Sequence, residues 1–140
     1  MTSSHALARE SLSQQDQPRL SALRAALREA VAADVDSHTE AARVSLGMVE
    51  LRLGNFAQAL AAVRDVEVTE PDVPANENRV YNLVSVHFVR ACARANLGEF
   101  EAANAARSAL ANLVASRFAD DWDAQALLRE VDAVFAQRHW

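Results

Sequence analysis

Leu53-Gly54-Asn55-Phe56 recurs 44 positions later as Leu97-Gly98-Glu99-Phe100, and the two copies use two of the chain's three glycines. Each copy closes one long helical pattern and opens another. A glycine just past a helix can take the left-handed conformation that stops it, and an aromatic two residues on gives the next helix an apolar anchor. Each phrase therefore reads as the elbow of a helical hairpin, and the rest of the chain is read outward from these two elbows.

Leading into the first elbow, Ser37 and Glu40 have capping-box spacing. A helix then runs to Leu53, with Val44, Met48 and Leu51 on one side and Leu46, Val49 and Leu53 on another. After Gly54 the next helix carries Phe56, Ala59, Leu60, Val63 and Val66 inward and stops before Pro71. Upstream, Asp16-Gln17-Pro18 is a helix start. Leu20, Leu23, Leu27 and Val31 then form one stripe at spacings of three and four, running to about Ala33. A short helix from about Ser4 is expected before it.

Between the elbows, Pro71 and Pro74 with Glu67, Glu70, Asp72 and Glu77 make an acidic linker. The helix from about Glu77 to Leu97 is apolar nearly all round (Val80, Leu83, Val84, Val86, Phe88, Val89, Cys92, Leu97), which predicts a central position. Past Gly98 a helix turns Ala103, Ala106, Leu110, Leu113 and Val114 inward. A last one starts at Asp120-Asp121-Trp122-Asp123, where carboxylates suit the positive end of a helix dipole. Its stripe is Leu127, Leu128, Val131, Val134 and Phe135.

Leu46-Gly47, Gly54, Phe56, Ala59 and Pro71 have the spacing of the tetratricopeptide repeat, and this chain resembles that family over about residues 37 to 116. Ala91, Gly98, Phe100, Ala103 and Leu110 carry the resemblance in the second unit. Arg43 stands where the family favours tryptophan and Glu50 where it favours an aromatic, while Arg90 and Arg107 take usually apolar positions. The resemblance implies an all-α fold: a right-handed stack of two to three antiparallel helix pairs, a TPR-like α-α superhelix, plus a C-terminal capping helix. As a single domain over residues 1–140 it divides into a degenerate first hairpin (1–33), repeat 1 (37–70), repeat 2 (77–116) and the cap (120–138). The stack follows from physics, because one hairpin cannot bury its own apolar face.

Composition narrows the function. The 140 residues are 51% hydrophobic with 6% aromatics, enough for a core without metal or disulfide. The one cysteine, Cys92, cannot form an internal disulfide bridge, which fits a reducing compartment. No run approaches the ~18 apolar residues of a membrane span and no secretory signal opens the chain. A cytoplasmic protein without membrane contact is the expectation. The net charge of −5 argues against nucleic acid. All basic residues are arginine and isoleucine is absent too, a pattern ascribed to a GC-rich genome.

No chemistry converges. His87 and Cys92, five apart, diverge on a helix and do not make a thiol–imidazole pair. The aspartates at 120, 121 and 123 lack a glycine-centred calcium loop. His5, His38, His87 and His139 are too scattered for zinc. Phosphate-loop and serine-nucleophile motifs are missing. The reading is therefore of a protein without catalytic residues, metal or cofactor.

Binding remains. The resemblance implies that the first helix of each pair lines a concave groove, formed here by Val44, Met48, Leu51, Arg52, Ser85, Phe88, Cys92 and Asn96. Such a mostly apolar groove suits an amphipathic helix of a partner protein or a second copy of the chain. The same positions also read as plain core. Trp140 reads as a self-association contact or the edge of a longer protein, of which this chain would be a regulatory region. The leading expectation is a scaffold or chaperone-like module. The alternative is a sensory or dimerising regulatory domain of a bacterial signalling or transcription-control protein.

Overall fold

A computed structural model describes residues 17–33, 38–66 and 77–140, and every regular element among them is an α-helix. These are α1 (Gln17–Ala33), α2 (His38–Arg52), α3 (Phe56–Val63), α4 (Glu77–Asn96), α5 (Phe100–Arg117) and α6 (Trp122–Gln137). The fold is all-α, with neighbouring helices packed on one another within each of two compact units. The early helix expected from Ser4, the Ser37 cap and the acidic linker before Glu77 lie outside the described residues. The chain divides into two compact units, Met1–Glu67 and Val68–Trp140.

Both elbows form at the predicted glycines and share one geometry. Gly54 and Gly98 have φ of +81° and +80°. The Gly54 amide donates to the Leu51 carbonyl (3.1 Å) and the Asn55 amide to Glu50 (2.9 Å); Gly98 donates to Ala95 (3.0 Å) and Glu99 to Arg94 (2.9 Å). This paired pattern is the Schellman motif, which satisfies carbonyls that a helix end would otherwise leave unbonded. The residues after the glycines also agree, Asn55 at φ −92°, ψ 72° and Glu99 at φ −92°, ψ 76°. Their carbonyls take the first bonds of the next helices, from Ala59 (2.8 Å) and Ala103 (2.9 Å).

In the first unit, Leu20, Leu23 and Leu27 of α1 pack on Leu46 and Val49 of α2, with Val31, Leu53 and Ala62 partly buried around them. All residues of α2 from Val44 to Leu51 are buried, so its two apolar sides are both covered. On α3, Ala59 and Val63 are buried, and after Val63 the chain tightens into three-residue turns that bury Val66.

The second unit has α4 against both α5 and α6. Between Tyr81 and Ala95, α4 is buried except at His87, Arg90 and Arg94, which are half-buried. Its aromatic contacts fix the helix directions. Tyr81 near the start of α4 meets Phe118 just beyond α5 edge-on at 5.6 Å. Phe100, opening α5, meets Phe135 near the end of α6 at 6.5 Å. The helices thus run up, down and up. The inward residues of α5 are Ala103, Ala106, Leu110, Leu113 and Val114. Asp121 caps α6, its carboxylate accepting from the Ala124 amide at 3.0 Å.

A third Schellman turn ends α6, with His139 in the left-handed region at φ 62°. His139 donates to Ala136 (3.1 Å) and Trp140 to Phe135 (3.2 Å), the same bonds as at the glycines. Trp140 is thereby laid on Phe135 (5.3 Å) and Phe100 (5.0 Å), both edge-on.

An added Cβ at Gly54 or Gly98 meets nothing within 4 Å, so alanine there strains the backbone alone. Gly54→Ala and Gly98→Ala should each lower unfolding free energy by about 1–2 kcal/mol in urea denaturation. His139→Gly should act in the opposite direction, raising it by up to about 1 kcal/mol, the relief of strain less glycine's extra freedom when unfolded.

Candidate partner-binding surface

The eight groove positions fall four on α2 and four on α4, that is, four in each unit. Val44, Met48, Leu51, Ser85, Phe88 and Cys92 are buried, while Arg52 and Asn96 are half-buried. A partner reaches the six only if the segments covering them move. Asn96 bonds within its own unit: its Nδ2 donates to the Cys92 carbonyl at 2.8 Å, and its backbone carbonyl accepts from Arg138 Nη2 at 2.6 Å. A cation thus sits at the negative end of α4, where the helix dipole favours it.

The large apolar side chains that do meet solvent lie elsewhere. Leu97 (45% exposed) and Phe100 (46%) flank the Gly98 turn, and Trp140 (41%) rests on Phe100. Around them are Arg138, 5.8 Å from the centre of the Trp140 ring, and the Arg94–Glu99 ion pair at 2.8 Å. Trp122, 74% exposed, opens α6 at the far end of that helix. The sequence pattern makes Phe100 an anchor for its helix. The structure gives it two roles, one edge on Phe135 and Trp140 and the rest in water.

Two departures from the repeat pattern acquire partners. Arg107 lays its guanidinium over the Phe135 ring at 4.7 Å and pairs with Asp132 at 2.8 Å, so an arginine covers an aromatic that an apolar residue would otherwise cover. Glu50 is 1% exposed. Arg24 Nε pairs with its Oε1, Arg28 Nη2 lies 3.4 Å from its Oε2, and Asn55 Nδ2 donates to Oε1 at 3.2 Å. A buried carboxylate is expensive unless charges and donors compensate it. Here α1 supplies two cations and the elbow supplies an amide. Only the mismatch at Glu50 and the four-residue spacing of Arg24 and Arg28 beside the leucine stripe hinted at this cluster.

On α4, burial holds the His87 imidazole below its ordinary pKa, and the nearby Arg90 cation lowers it further. Burial, then Arg94, likewise lowers Arg90. Cys92 is a buried thiol. Among the described residues no three His, Cys, Asp or Glu side chains gather as metal ligands, and no helix is long and apolar enough to cross a membrane. Neither a family model nor a curated protein nor a solved structure matches the chain.

Removing both Arg24 and Arg28 strands Glu50. The double alanine variant should lose about 3 kcal/mol of unfolding free energy, and adding Glu50→Met should restore most of it, because an apolar side chain of similar volume needs no counter-charge. Urea denaturation of the two variants checks both steps.

For His87, the unfolded imidazole titrates near its ordinary value of 6.5 and the folded one lower. Between those values the unfolded chain binds more protons, so stability is full above pH 6.5 and falls as pH drops through the window. His87→Gln should flatten that part of the urea-midpoint profile against pH, and an unchanged slope would assign it to other groups.

Proposed function

We propose that the chain is a non-enzymatic protein-interaction module of the helical-repeat kind, a cytoplasmic scaffold or chaperone-like domain that takes a helical segment of a partner protein. One observation carries this reading: the two elbows, 44 residues apart, share glycine conformation, flanking dihedrals and hydrogen bonds. Such a repeated helix pair is the building unit of helical-repeat proteins, whose stacked units present extended surfaces for binding. The tetratricopeptide-like spacing of Leu46, Gly54, Phe56 and Ala59 points the same way.

A second reading draws on a separate feature. Leu97, Phe100 and Trp140 expose apolar surface at one end of the second unit, rimmed by charges, and patches of that type mark contacts with other proteins. On this reading the chain is a dimerising or sensory regulatory domain of a bacterial signalling or transcription-control protein, with Trp140 in the self-contact.

Light scattering across a concentration series separates the two. The module reading expects a single-chain mass throughout and enrichment of amphipathic helical peptides when a displayed library is selected against the full chain. A dimer that survives dilution and weakens with Trp140→Ala would favour the regulatory reading. A monomer that enriches no helical peptide would contradict both.

A further inference from the structure

The place that α1 occupies on α2 has the makings of a helix receptor. Leu20, Leu23 and Leu27 enter a surface built by Leu46 and Val49, with Leu53 and Ala62 at its margin. Two arginines beside that stripe converge on one carboxylate, whose side chain is 2% exposed against 29% at Arg24 and 51% at Arg28. The carboxylate belongs to the seat and the cations to the occupant.

The two kinds of contact do different work. Leucines at helical spacing supply affinity but little choice, since every amphipathic helix has such a stripe. Glu50 supplies the choice: an occupant without guanidinium groups leaves a carboxylate out of water with no counter-charge and only the Asn55 amide as donor, so the wrong helix is rejected by what it fails to bring. Among the described helices α1 packs on α2 alone, and Ala62 of α3 is partly buried against the same cluster. The second unit has its own helices and core. Release of α1 therefore gives up one stripe and one charge cluster.

We propose that α2 forms a receptor for an amphipathic helix, that α1 fills it in cis, and that a partner protein's helix displaces α1 by carrying leucine at positions 1, 4 and 8 and arginine at positions 5 and 9, the order found in Leu20, Leu23, Arg24, Leu27 and Arg28. The inference rests on the protein-interaction reading and names the partner's chemistry. A partner competes with a tethered copy of its own pattern, so its apparent affinity is reduced by the fraction of time the seat is empty. Loosening α1 without touching the seat must then tighten the partner.

The probe is a labelled synthetic peptide with the sequence of residues 17–33, added to the full chain. It should bind wild type weakly and the Arg28→Ala chain about five-fold more tightly, because Arg28 is half-exposed and its loss weakens the occupant while Glu50 remains. The same peptide with the arginines of positions 24 and 28 replaced by alanine, and that of position 19 kept, should bind neither chain. In isotope-labelled wild type, excess peptide should move the α1 resonances and leave those of α5 and α6 in place, a readout that needs no variant. Equal affinity for the two chains, binding that leaves α1 unmoved, or no binding at all would overturn the proposal. So would a dimer with α1 exchanged between copies, which would give the seat to a second copy. A library peptide that binds with α1 unmoved would remove this receptor while leaving the broader module reading intact.

Discussion

A helix reverses the chain within three residues most directly when one residue turns left-handed and the amides beyond it return to carbonyls of the last turn. This constraint is met at Gly54, Gly98 and His139, each time with the same pair of backbone bonds. After Gly54 and Gly98 it starts α3 and α5 close beside the helices just ended. After His139 it lays Trp140 back over the end of α6. Gly54 and Gly98 thus set one reversal of the chain in each unit, and His139 folds the last residue back on α6.

At each turn the side chain four residues before the left-handed position meets the one just after it. The pairs are Glu50 with Asn55, Arg94 with Glu99, and Phe135 with Trp140. A hydrophobic contact often accompanies this motif, and here two of three are polar. The choice matters beyond the turn. Glu50 extends its contact to Arg24 and Arg28 and so ties α1 to α2. Phe135 extends its contact to Phe100 and Arg107 and so ties α6 to α5. The end of a helix is therefore also where the neighbouring helix is fastened, and a buried carboxylate and an aromatic ring serve the same purpose by different physics.

Much of this was legible in the residues. Glycine has a steric reason to sit at φ near +80°, so the elbows at 54 and 98 could be read directly. The period of Ala103, Ala106, Leu110, Leu113 and Val114 marked the buried face of α5, and Asp121 announced the start of α6. The turn at His139 was not legible, because a histidine carries no comparable signal for a left-handed backbone. The partners of Glu50 were hidden for another reason: Arg24 and Arg28 are more than 20 residues away, and local spacing does not show which side chains distant segments bring together. The same limit applies to the groove. Periodicity marked Val44, Met48, Leu51 and Phe88 as apolar, but their exposure depends on what packs over them. Leu97, Phe100 and Trp140 share that apolar character and face water.

The most direct measurement is amide hydrogen exchange, resolved by residue, at the six positions just past the helix ends: Gly54, Asn55, Gly98, Glu99, His139 and Trp140. If one turn device shapes both units, these amides are bonded to carbonyls inside the preceding helices and should exchange well below the rate of open loops, in step with the last turns of α2, α4 and α6. Exchange at loop rates at the glycine pairs would mean the helices fray there, and the account of the fold as one elbow used repeatedly would be contradicted.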